Sequence, residues 1–264
     1  MSSACIPYGY LLPALAASWM AGLAALRRAG LAPEWCRKLL HMGCGSLALT
    51  LPWGVDSAPA VLALCAFATL MLTGVKCLPS WNRTVGGVMD GVGRGHRGGF
   101  YFAAAVGLVF AAAGGDRLLF CLPVAVLTFA DAAAALVGRR WGRHRYPAGG
   151  ACKTLEGSAA FFVVALACTL ACRWAFDAGG PALTLPVAVL VSLLLTFVEA
   201  VAGKGADNLL IPVAGHLALR AYLGCAPTVA GAHLVAAAAA GIWALRTALQ
   251  DTGDGRAACG HRLP

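Results

Sequence analysis

Nine apolar stretches, joined by short polar or glycine-rich connections, constrain this chain more than any other feature of its sequence. A helix that crosses a membrane needs about 20 mostly apolar residues, and the stretches approach that length. The second, fourth and eighth are short, so we expect eight or nine transmembrane helices. The approximate limits of the stretches are 8–26, 39–53, 59–79, 99–114, 117–138, 157–175, 183–202, 208–223 and 227–246.

Composition excludes a water-soluble globular protein. Of the 264 residues, 60% are hydrophobic and 12% are charged, whereas a soluble domain carries about 25% charged residues. This leaves too little polar surface to cover a globule in water. We therefore predict an all-α, polytopic integral membrane protein. Residues 1–250 are expected to form a single transmembrane domain, and residues 251–264 a short cytoplasmic tail.

Lysine and arginine are concentrated in alternate connections. The connections after the first, third, fifth and seventh stretches are basic, and so is the tail. Cytoplasmic connections of membrane proteins carry such an excess, which places the N-terminus outside and accounts for the formal net charge of +9. No basic run is interleaved with exposed aromatic residues, so nucleic acid is not an expected partner. With no visible transit peptide, we expect a bacterial inner membrane.

Four groups of polar residues lie inside or beside the apolar stretches. A charged residue within a transmembrane helix costs about 2.5–3.5 kcal/mol on insertion scales, which makes such residues functional candidates. Under the predicted topology all four groups lie at the cytoplasmic ends of their helices. They are Arg37, Lys38 and His41; Asp131; Lys153, Thr154 and Glu156; and Glu199, Asp207 and Asn208.

The first two groups also have structural explanations. Arg37, Lys38 and His41 have helical spacing and share one face, so the two cations could form a belt that reaches the membrane surface. His41 lies deeper among apolar residues, which favours a functional role. Asp131 lies seven residues before Gly138, hence about 10 Å inside the fifth stretch. It requires a cation, a metal or a polar cavity, and a structural ion pair is the simplest alternative.

The other two groups of polar residues likewise have both structural and functional explanations. Thr154 can cap the sixth helix, with Lys153 and Glu156 forming a surface ion pair. Alternatively, Lys153, the Thr154 hydroxyl and the free amides of the first turn suit a phosphate group. Asp207 fits as a helix cap, whereas Glu199 has no such structural explanation.

Together these residues describe a site for a divalent cation and a polyphosphate. Carboxylate and amide oxygens suit Mg²⁺, and lysine and arginine neutralise phosphate oxygens. Phosphoryl transfer needs little more than such positioning and charge neutralisation. The segment "GGACKT" lacks the glycine of a Walker A motif before its lysine, and the protein-kinase motifs are absent, which excludes a soluble-type ATP fold.

Four segments resemble a known family in their order and spacing. "RKLLHMGCG", "FADAAAALVGRRWG", "KTLEGS" and "VEAVAGKGADNLLIP" are similar to motifs of the polyprenol kinases, which include phytol, farnesol and dolichol kinases and a CTP-dependent diacylglycerol kinase. The resemblance implies a kinase domain over 1–250 that transfers the γ-phosphate of CTP to the hydroxyl of a membrane lipid alcohol. The short chain resembles the phytol kinase type, so a phytol-like isoprenoid alcohol is the expected acceptor.

The resemblance also implies roles for the polar residues. Asp131 or Glu199 would accept the hydroxyl proton. The catalytic group would comprise Asp131, Glu199, Lys153 and His41, and the Mg²⁺ ligands would be Asp131, Glu199, Asp207 and Asn208. The nucleotide and its phosphates would contact Arg37, Lys38, Arg139, Arg140, Lys153, Thr154, Glu156 and Gly157.

Two other functions fit part of the pattern. One is the transfer of a cytidylyl group to a lipid phosphate, as in phosphatidate cytidylyltransferases, although their longer signature with paired aspartates is missing. The other is an ion-coupled transporter, in which buried acids carry protons or cations. A transporter would be expected to place polar groups near the middle of the membrane and on both sides, whereas here they gather at one face.

Overall fold

The computed structural model of the protein describes residues 6–77, 98–148, 151–176, 183–203 and 205–250. Several sequence predictions concern residues outside these ranges. They include the basic residues between positions 80 and 97, Lys204 and the tail at 251–264.

The described part of each predicted apolar stretch is largely helical, although the second stretch is divided at Thr50 between the helices Pro33–Leu49 and Leu51–Gly54. A π-helical turn, Val126–Ala130, joins the helices Arg117–Ala125 and Asp131–Trp141, so that one continuous helix runs from Arg117 to Trp141. The predicted positions of the helices are therefore confirmed. The helices are α1 (Ile6–Arg28), α2 (Pro33–Leu49), α3 (Leu51–Gly54), α4 (Ala58–Cys77), α5 (Gly98–Ala113), α6 (Arg117–Ala125), α7 (Asp131–Trp141), α8 (Leu155–Phe176), α9 (Leu185–Val201), α10 (Asp207–Tyr222) and α11 (Pro227–Gln250).

Length and hydropathy separate these helices into two groups. Among the described residues, Arg117–Trp141 and Leu155–Phe176 are long and apolar enough to cross a membrane by themselves. Helices α5, α9 and α10 contain 16, 17 and 16 residues, hence about 24–26 Å at 1.5 Å per residue. That length falls short of the roughly 30 Å hydrocarbon layer. The structure confirms the helices, and the predicted number of membrane crossings stays a prediction.

The prediction of an all-α fold is wrong at one place. Strand β1 (Arg145–Ala148) pairs antiparallel with β2 (Ala151–Thr154) between α7 and α8. The sequence carried a signal for this hairpin, because glycines at positions 149 and 150 separate the two strands and Gly-Gly is favoured in two-residue hairpin connections. The many glycines and arginines of residues 139–156 instead favour a loop.

Long helices that follow one another along the chain run in opposite directions, so the chain returns repeatedly to the same end of the bundle. At that end Asn208 Nδ2 of α10 donates to the Gly98 carbonyl of α5 at 3.0 Å. Arg139 of α7 lies 2.9 Å from the carboxylate of Glu34 in α2. We call the end of the bundle that holds these four residues the polar end.

Aromatic contacts mark the opposite end of the bundle. The ring of Trp53, in α3, lies 6.0 Å from that of Phe176, the last residue of α8. The guanidinium of Arg117, at the start of α6, lies 5.2 Å from the centre of the Trp53 ring. These contacts bring the start of α6 and the end of α8 together, as the antiparallel arrangement requires.

The core surrounds the π turn and extends along α8, α9 and α10. Its side chains include Leu127, Phe161, Leu195, Ile211 and Leu219, which are fully buried. The core also contains polar groups that are satisfied within the helices, since the hydroxyls of Thr169 and Ser192 each donate to the carbonyl four residues earlier. No charged partner is needed for these hydroxyls.

Close approach of α2 to the π turn depends on a glycine. A Cβ atom added at Gly45 would lie 2.1 Å from Oγ1 of Thr128, and Thr128 is fully buried. Threonine has a restricted χ1, so its side chain cannot move away without disturbing the turn. The small residue at position 45 thus sets how near α2 lies to the helix that carries Asp131.

We expect Gly45→Ala to destabilise the protein by about 1–3 kcal/mol, because the added methyl overpacks the contact between α2 and the π turn. The melting temperature of the purified protein, followed with a dye that reacts with its buried thiols, measures the effect. Gly22→Ala is the matched control, because a Cβ at that helical position meets no atom within 4 Å. Equal melting temperatures for the two variants would contradict the assignment.

Candidate active site

Asp131 forms a buried ion pair with Lys38. Nζ of Lys38 lies 2.7 Å from Oδ2 of Asp131 and also donates to the Asp131 backbone carbonyl at 3.3 Å. Both residues are more than nine-tenths buried. Asp131 begins α7, ten residues before Trp141, hence about 15 Å from the end of that helix. The predicted acid therefore has a cationic partner on α2, which sequence spacing alone did not identify.

His41 contacts the same region from the next turn of α2. Its Nε2–H donates to the backbone carbonyl of Leu127 at 3.0 Å, and the same nitrogen lies 3.6 Å from Oδ2 of Asp131. Leu127 belongs to the π turn, where the regular helical hydrogen-bond pattern is interrupted; such turns are frequent at functional sites. The carbonyl can only accept, so this contact places a proton on Nε2.

Glu199 forms a second buried ion pair, with Lys153 at the end of β2. Nζ of Lys153 lies 2.7 Å from Oε1 of Glu199 and also donates to its backbone carbonyl. The other carboxylate oxygen, Oε2, accepts from Ser158 Oγ at 3.3 Å, and the Tyr146 hydroxyl lies 2.7 Å from the same Oγ. Glu199 thus has partners on both of its oxygens.

The two ion pairs lie on helices that pack against each other. Ala134, one turn after Asp131, packs against Gly157, the neighbour of the Ser158 that contacts Glu199. A carboxylate removed from water is stable only when it is paired or hydrogen-bonded, and a lysine fulfils that requirement in both cases. Breaking such a pair is more costly than its net contribution to stability, because one charge is left buried and uncompensated.

Asp207 and Asn208 lie at the start of α10, at the polar end of the bundle. The helix cap is Ala206 rather than Asp207, and Oδ1 of Asp207 accepts the backbone N–H of Asn208 at 3.0 Å. The Asn208 amide nitrogen is engaged by the Gly98 carbonyl. Across the described ranges, no three His, Cys, Asp or Glu side chains gather closely enough to form a metal centre by themselves.

Arginines predicted to contact phosphate are held by Glu34. One carboxylate oxygen of Glu34 lies 3.1 Å from Arg37, and the other lies 2.9 Å from Arg139. Burial raises the pKa of Glu34, but the charges and hydrogen bonds of the two arginines outweigh it, so its pKa lies below the ordinary value. Arg140 points away from this pair, with its guanidinium 5.7 Å from the centre of the Trp141 ring.

Thr154 caps α8 as predicted. Its Oγ1 accepts the backbone N–H of Gly157 at 3.1 Å. The alternative surface pair between Lys153 and Glu156 is wrong, because Lys153 turns to Glu199, while Glu156 lies 2.7 Å from Nδ1 of His144. Hydrogen bonds from its own backbone N–H and from His144 lower the pKa of Glu156 to about 2.

Gly157 has a packing role in addition to its predicted contact with nucleotide. A Cβ added at this position would lie 2.9 Å from the Ala134 carbonyl of α7 and 3.3 Å from the Cα of Gly138. Small residues therefore let α7 and α8 approach closely just beside the ion pairs. The backbones that carry Asp131 and Lys153 are held at a fixed separation by this contact.

Sequence reasoning missed three residues that the structure places here: Glu34, Tyr146 and Ser158. Glu34 lies three residues before Arg37, a spacing that favours an ion pair on a helix. Ser158 ends the "KTLEGS" segment, and its helical position could have been noted. Tyr146 could not have been assigned without the hairpin.

The chain resembles known proteins over most of its length. Residues 9–203 match the sequence model described as the Cytidylyltransferase family. A phytol kinase from Synechocystis sp. is 30% identical over 195 residues, which cover 73% of this chain and 81% of that relative. The chain belongs to the polyprenol kinase family. The resemblance carried by its four segments is confirmed. No solved structure matched the chain.

The matched region of this polyprenol kinase family member covers both ion pairs. It includes Lys38, Asp131, Lys153 and Glu199, whereas Asp207 and Asn208 follow its last residue. The two lysine–carboxylate pairs thus lie within the part of the chain that defines the family.

We expect Lys38→Met to destabilise the protein by about 3–5 kcal/mol, because it leaves the Asp131 carboxylate buried without a partner. Adding Asp131→Asn to that variant should restore much of the loss, and thermal melting of the four proteins of the cycle measures the coupling. Arg139→Met is the control, since its side chain is 64% exposed and such pairs contribute about 0–1 kcal/mol. A Lys38→Met protein as stable as this control would show that the buried pair is dispensable.

Proposed function

We propose that the protein is a CTP-dependent lipid-alcohol kinase that phosphorylates a phytol-like isoprenoid alcohol. The observation that carries the proposal is the pair of buried lysine–carboxylate contacts, Lys38–Asp131 and Lys153–Glu199, at one end of a helix bundle. The relative named as a phytol kinase supports the acceptor class, and the family name, which refers to cytidylyl transfer, supports CTP as the donor.

The reaction requires one bond to form and one to break. The acceptor hydroxyl oxygen forms a bond to the γ-phosphorus, the bond from that phosphorus to the bridging oxygen breaks, and CDP leaves. The hydroxyl proton passes to a carboxylate, and we assign this role to Asp131 or Glu199. His41 adjoins Asp131 and orients it, while Lys153 is positioned to balance charge on the phosphate that is transferred.

Cations at the polar end are suited to the triphosphate. Lys38, Lys153, Arg37, Arg139 and Arg140 are the proposed phosphate ligands. The Nε of Arg37 is buried and has no hydrogen-bond partner in the described part of the chain, so this donor is available to a phosphate oxygen. Thr154, Glu156 and Gly157, which form the first turn of α8 and its cap, are proposed to lie against the nucleotide.

The oxygen donors at this end fit Mg²⁺ by their chemistry. Asp131, Glu199, Asp207 and Asn208 supply carboxylate and amide oxygens, which magnesium prefers, and we propose them as its ligands. When bound, Mg²⁺ would neutralise charge on the phosphates. Lys38 occupies one oxygen of Asp131, and Lys153 and Ser158 occupy the two oxygens of Glu199, so the cation would have to displace some of these partners or use lone pairs that they leave free.

We further propose that residues 1–250 form one transmembrane kinase domain in a bacterial inner membrane, followed by a cytoplasmic tail at 251–264. Coincidence of the helices with the apolar stretches supports this placement, as does the alternation of helix direction. The arginines at the end of α1 and on α7 gather at the polar end, which favours a cytoplasmic site and an external N-terminus. Arg117, Arg173 and Arg220 lie nearer the opposite end.

Cytidylyl transfer to a lipid phosphate is the second candidate, because the matching family is described by that chemistry. The two reactions differ in which phosphorus reaches the lipid. Ion-coupled transport has less support, since the two buried carboxylates of the described residues, Asp131 and Glu199, belong to one site at the polar end.

Purified protein with Mg²⁺ and [γ-³²P]CTP should label phytol or a related isoprenoid alcohol, whereas [α-³²P]CTP should leave the lipid unlabelled. Thin-layer chromatography of the extracted lipids provides the measurement. A panel that includes farnesol, geranylgeraniol, dolichol and diacylglycerol defines the acceptor. Label from the α-phosphate alone would establish the cytidylyl reaction instead, and no label with any acceptor would refute both.

We expect Asp131→Asn and Glu199→Gln each to lower kcat by about 100-fold or more, because each removes a group that accepts a proton or binds the metal. Initial rates at saturating CTP measure this effect. Asp116→Asn is the control, since Asp116 is an acid at the opposite end that caps α6. A rate for either site variant within a factor of two of the control would remove that carboxylate from the mechanism.

A further inference from the structure

The β-hairpin presents two side chains to Glu199 from directly opposite positions. Tyr146 of β1 and Lys153 of β2 are cross-strand partners in the antiparallel register, and such partners project from the same face of a sheet. Lys153 bonds to Oε1 of Glu199. Tyr146 is connected to Oε2 through Ser158. One cross-strand pair therefore reaches both oxygens of Glu199, Lys153 directly and Tyr146 through Ser158.

The chemistry of Tyr146, Ser158 and Glu199 determines which group donates each hydrogen bond between them. An ionised carboxylate only accepts, so the Ser158 hydroxyl donates its proton to Oε2 of Glu199. Oγ of Ser158 is then an acceptor toward Tyr146, whose O–H donates across 2.7 Å. A donor that itself accepts a hydrogen bond is polarised and binds more strongly. Tyr146 thus strengthens the contact that Ser158 makes with Glu199.

The base of the hairpin is fixed to the first turn of α8. The Leu155 N–H donates to the His144 carbonyl at 2.9 Å, and both the backbone N–H and the ring of His144 contact the Glu156 carboxylate. Ser158 lies one turn further along the same helix. Hairpin and serine are therefore parts of one rigid unit, and Glu199 approaches it from α9.

We propose that this hairpin is a positioning device for Glu199, in which Tyr146 and Ser158 are positioning residues that hold Oε2 while Lys153 holds Oε1. Fixing both oxygens leaves the carboxylate a single orientation, as preorganised sites require. The inference rests on the role of Glu199 in the proposed function. It adds a residue, Tyr146, that touches neither of the reacting groups, and a reason for the strand pair within a helical chain.

Activity tests the effect on the reaction. Tyr146→Phe and Ser158→Ala should each lower kcat about three- to tenfold, the amount expected for one hydrogen bond, with the KM for CTP unchanged within about twofold. The double variant should be no slower than Ser158→Ala, because the two residues act in series. Ser158→Thr, which keeps a hydroxyl, should restore most of the rate. Tyr222→Phe is the control, since it removes a hydroxyl bonded to His233 at the opposite end.

A second measurement does not depend on activity. Dicyclohexylcarbodiimide reacts with protonated carboxyl groups in apolar surroundings, and mass spectrometry of the digested protein gives the labelling rate of Glu199. We expect this rate at neutral pH to rise at least about threefold in Tyr146→Phe and in Ser158→Ala, because a carboxyl group that loses the hydrogen bond on Oε2 is no longer held in one orientation and is more accessible to the reagent. Tyr222→Phe should label like the wild type.

The labelling rates decide between the possible outcomes. Faster labelling of Glu199 in both Tyr146→Phe and Ser158→Ala supports the positioning role. If the wild type then transfers no phosphate, the proposed function alone fails. Wild-type labelling in Tyr146→Phe overturns the positioning role, even if the wild type is an active kinase. An equal rise in Tyr222→Phe also overturns it, because the effect would then be general.

Discussion

Two carboxylates held away from water by apolar helices determine how the polar end of this protein is built. Asp131 and Glu199 are each more than nine-tenths buried, and burial of an unpaired charge is costly enough to prevent folding. Each is therefore met by a lysine from a different element, Lys38 on α2 and Lys153 on β2. The positions of α2, the strand pair and the start of α8 place these two lysines beside the carboxylates.

Because successive helices alternate in direction, each lysine can reach a carboxylate that is distant in the sequence. Residues that are 93 positions apart, in the case of Lys38 and Asp131, and 46 apart, in the case of Lys153 and Glu199, meet because each helix returns the chain to the same end. Small residues then set the distances. Gly45 allows α2 to pack closely against the π turn, and Gly157 allows α8 to pack closely against α7. The ion pairs thus depend on the close packing of the apolar helices, since a wider helix separation would break them.

Sequence reasoning located the helices and the acids, but not the partners of those acids. Apolar runs near 20 residues and isolated charges within them are local signals, so Asp131 and Glu199 could be selected from the sequence. Which cation meets which acid depends on helix packing, so the sequence left open whether Lys153 pairs with Glu156, and that alternative is wrong because Lys153 pairs with Glu199. The hairpin was missed because two four-residue strands in an arginine- and glycine-rich segment carry little periodicity. Tyr146 lies beside Ser158 only because that hairpin forms.

The charges at the polar end have a consequence for nucleotide binding. Within the described residues the two lysines are balanced by two carboxylates, and Glu34 balances Arg37 and Arg139 in part. A triphosphate of the proposed donor would bring several negative charges into a region whose cations are already engaged. Those cations must therefore exchange a carboxylate for a phosphate, and the released carboxylates need a new positive partner. In the proposed reaction a divalent cation would supply it, so we expect the nucleotide to bind together with Mg²⁺ rather than alone.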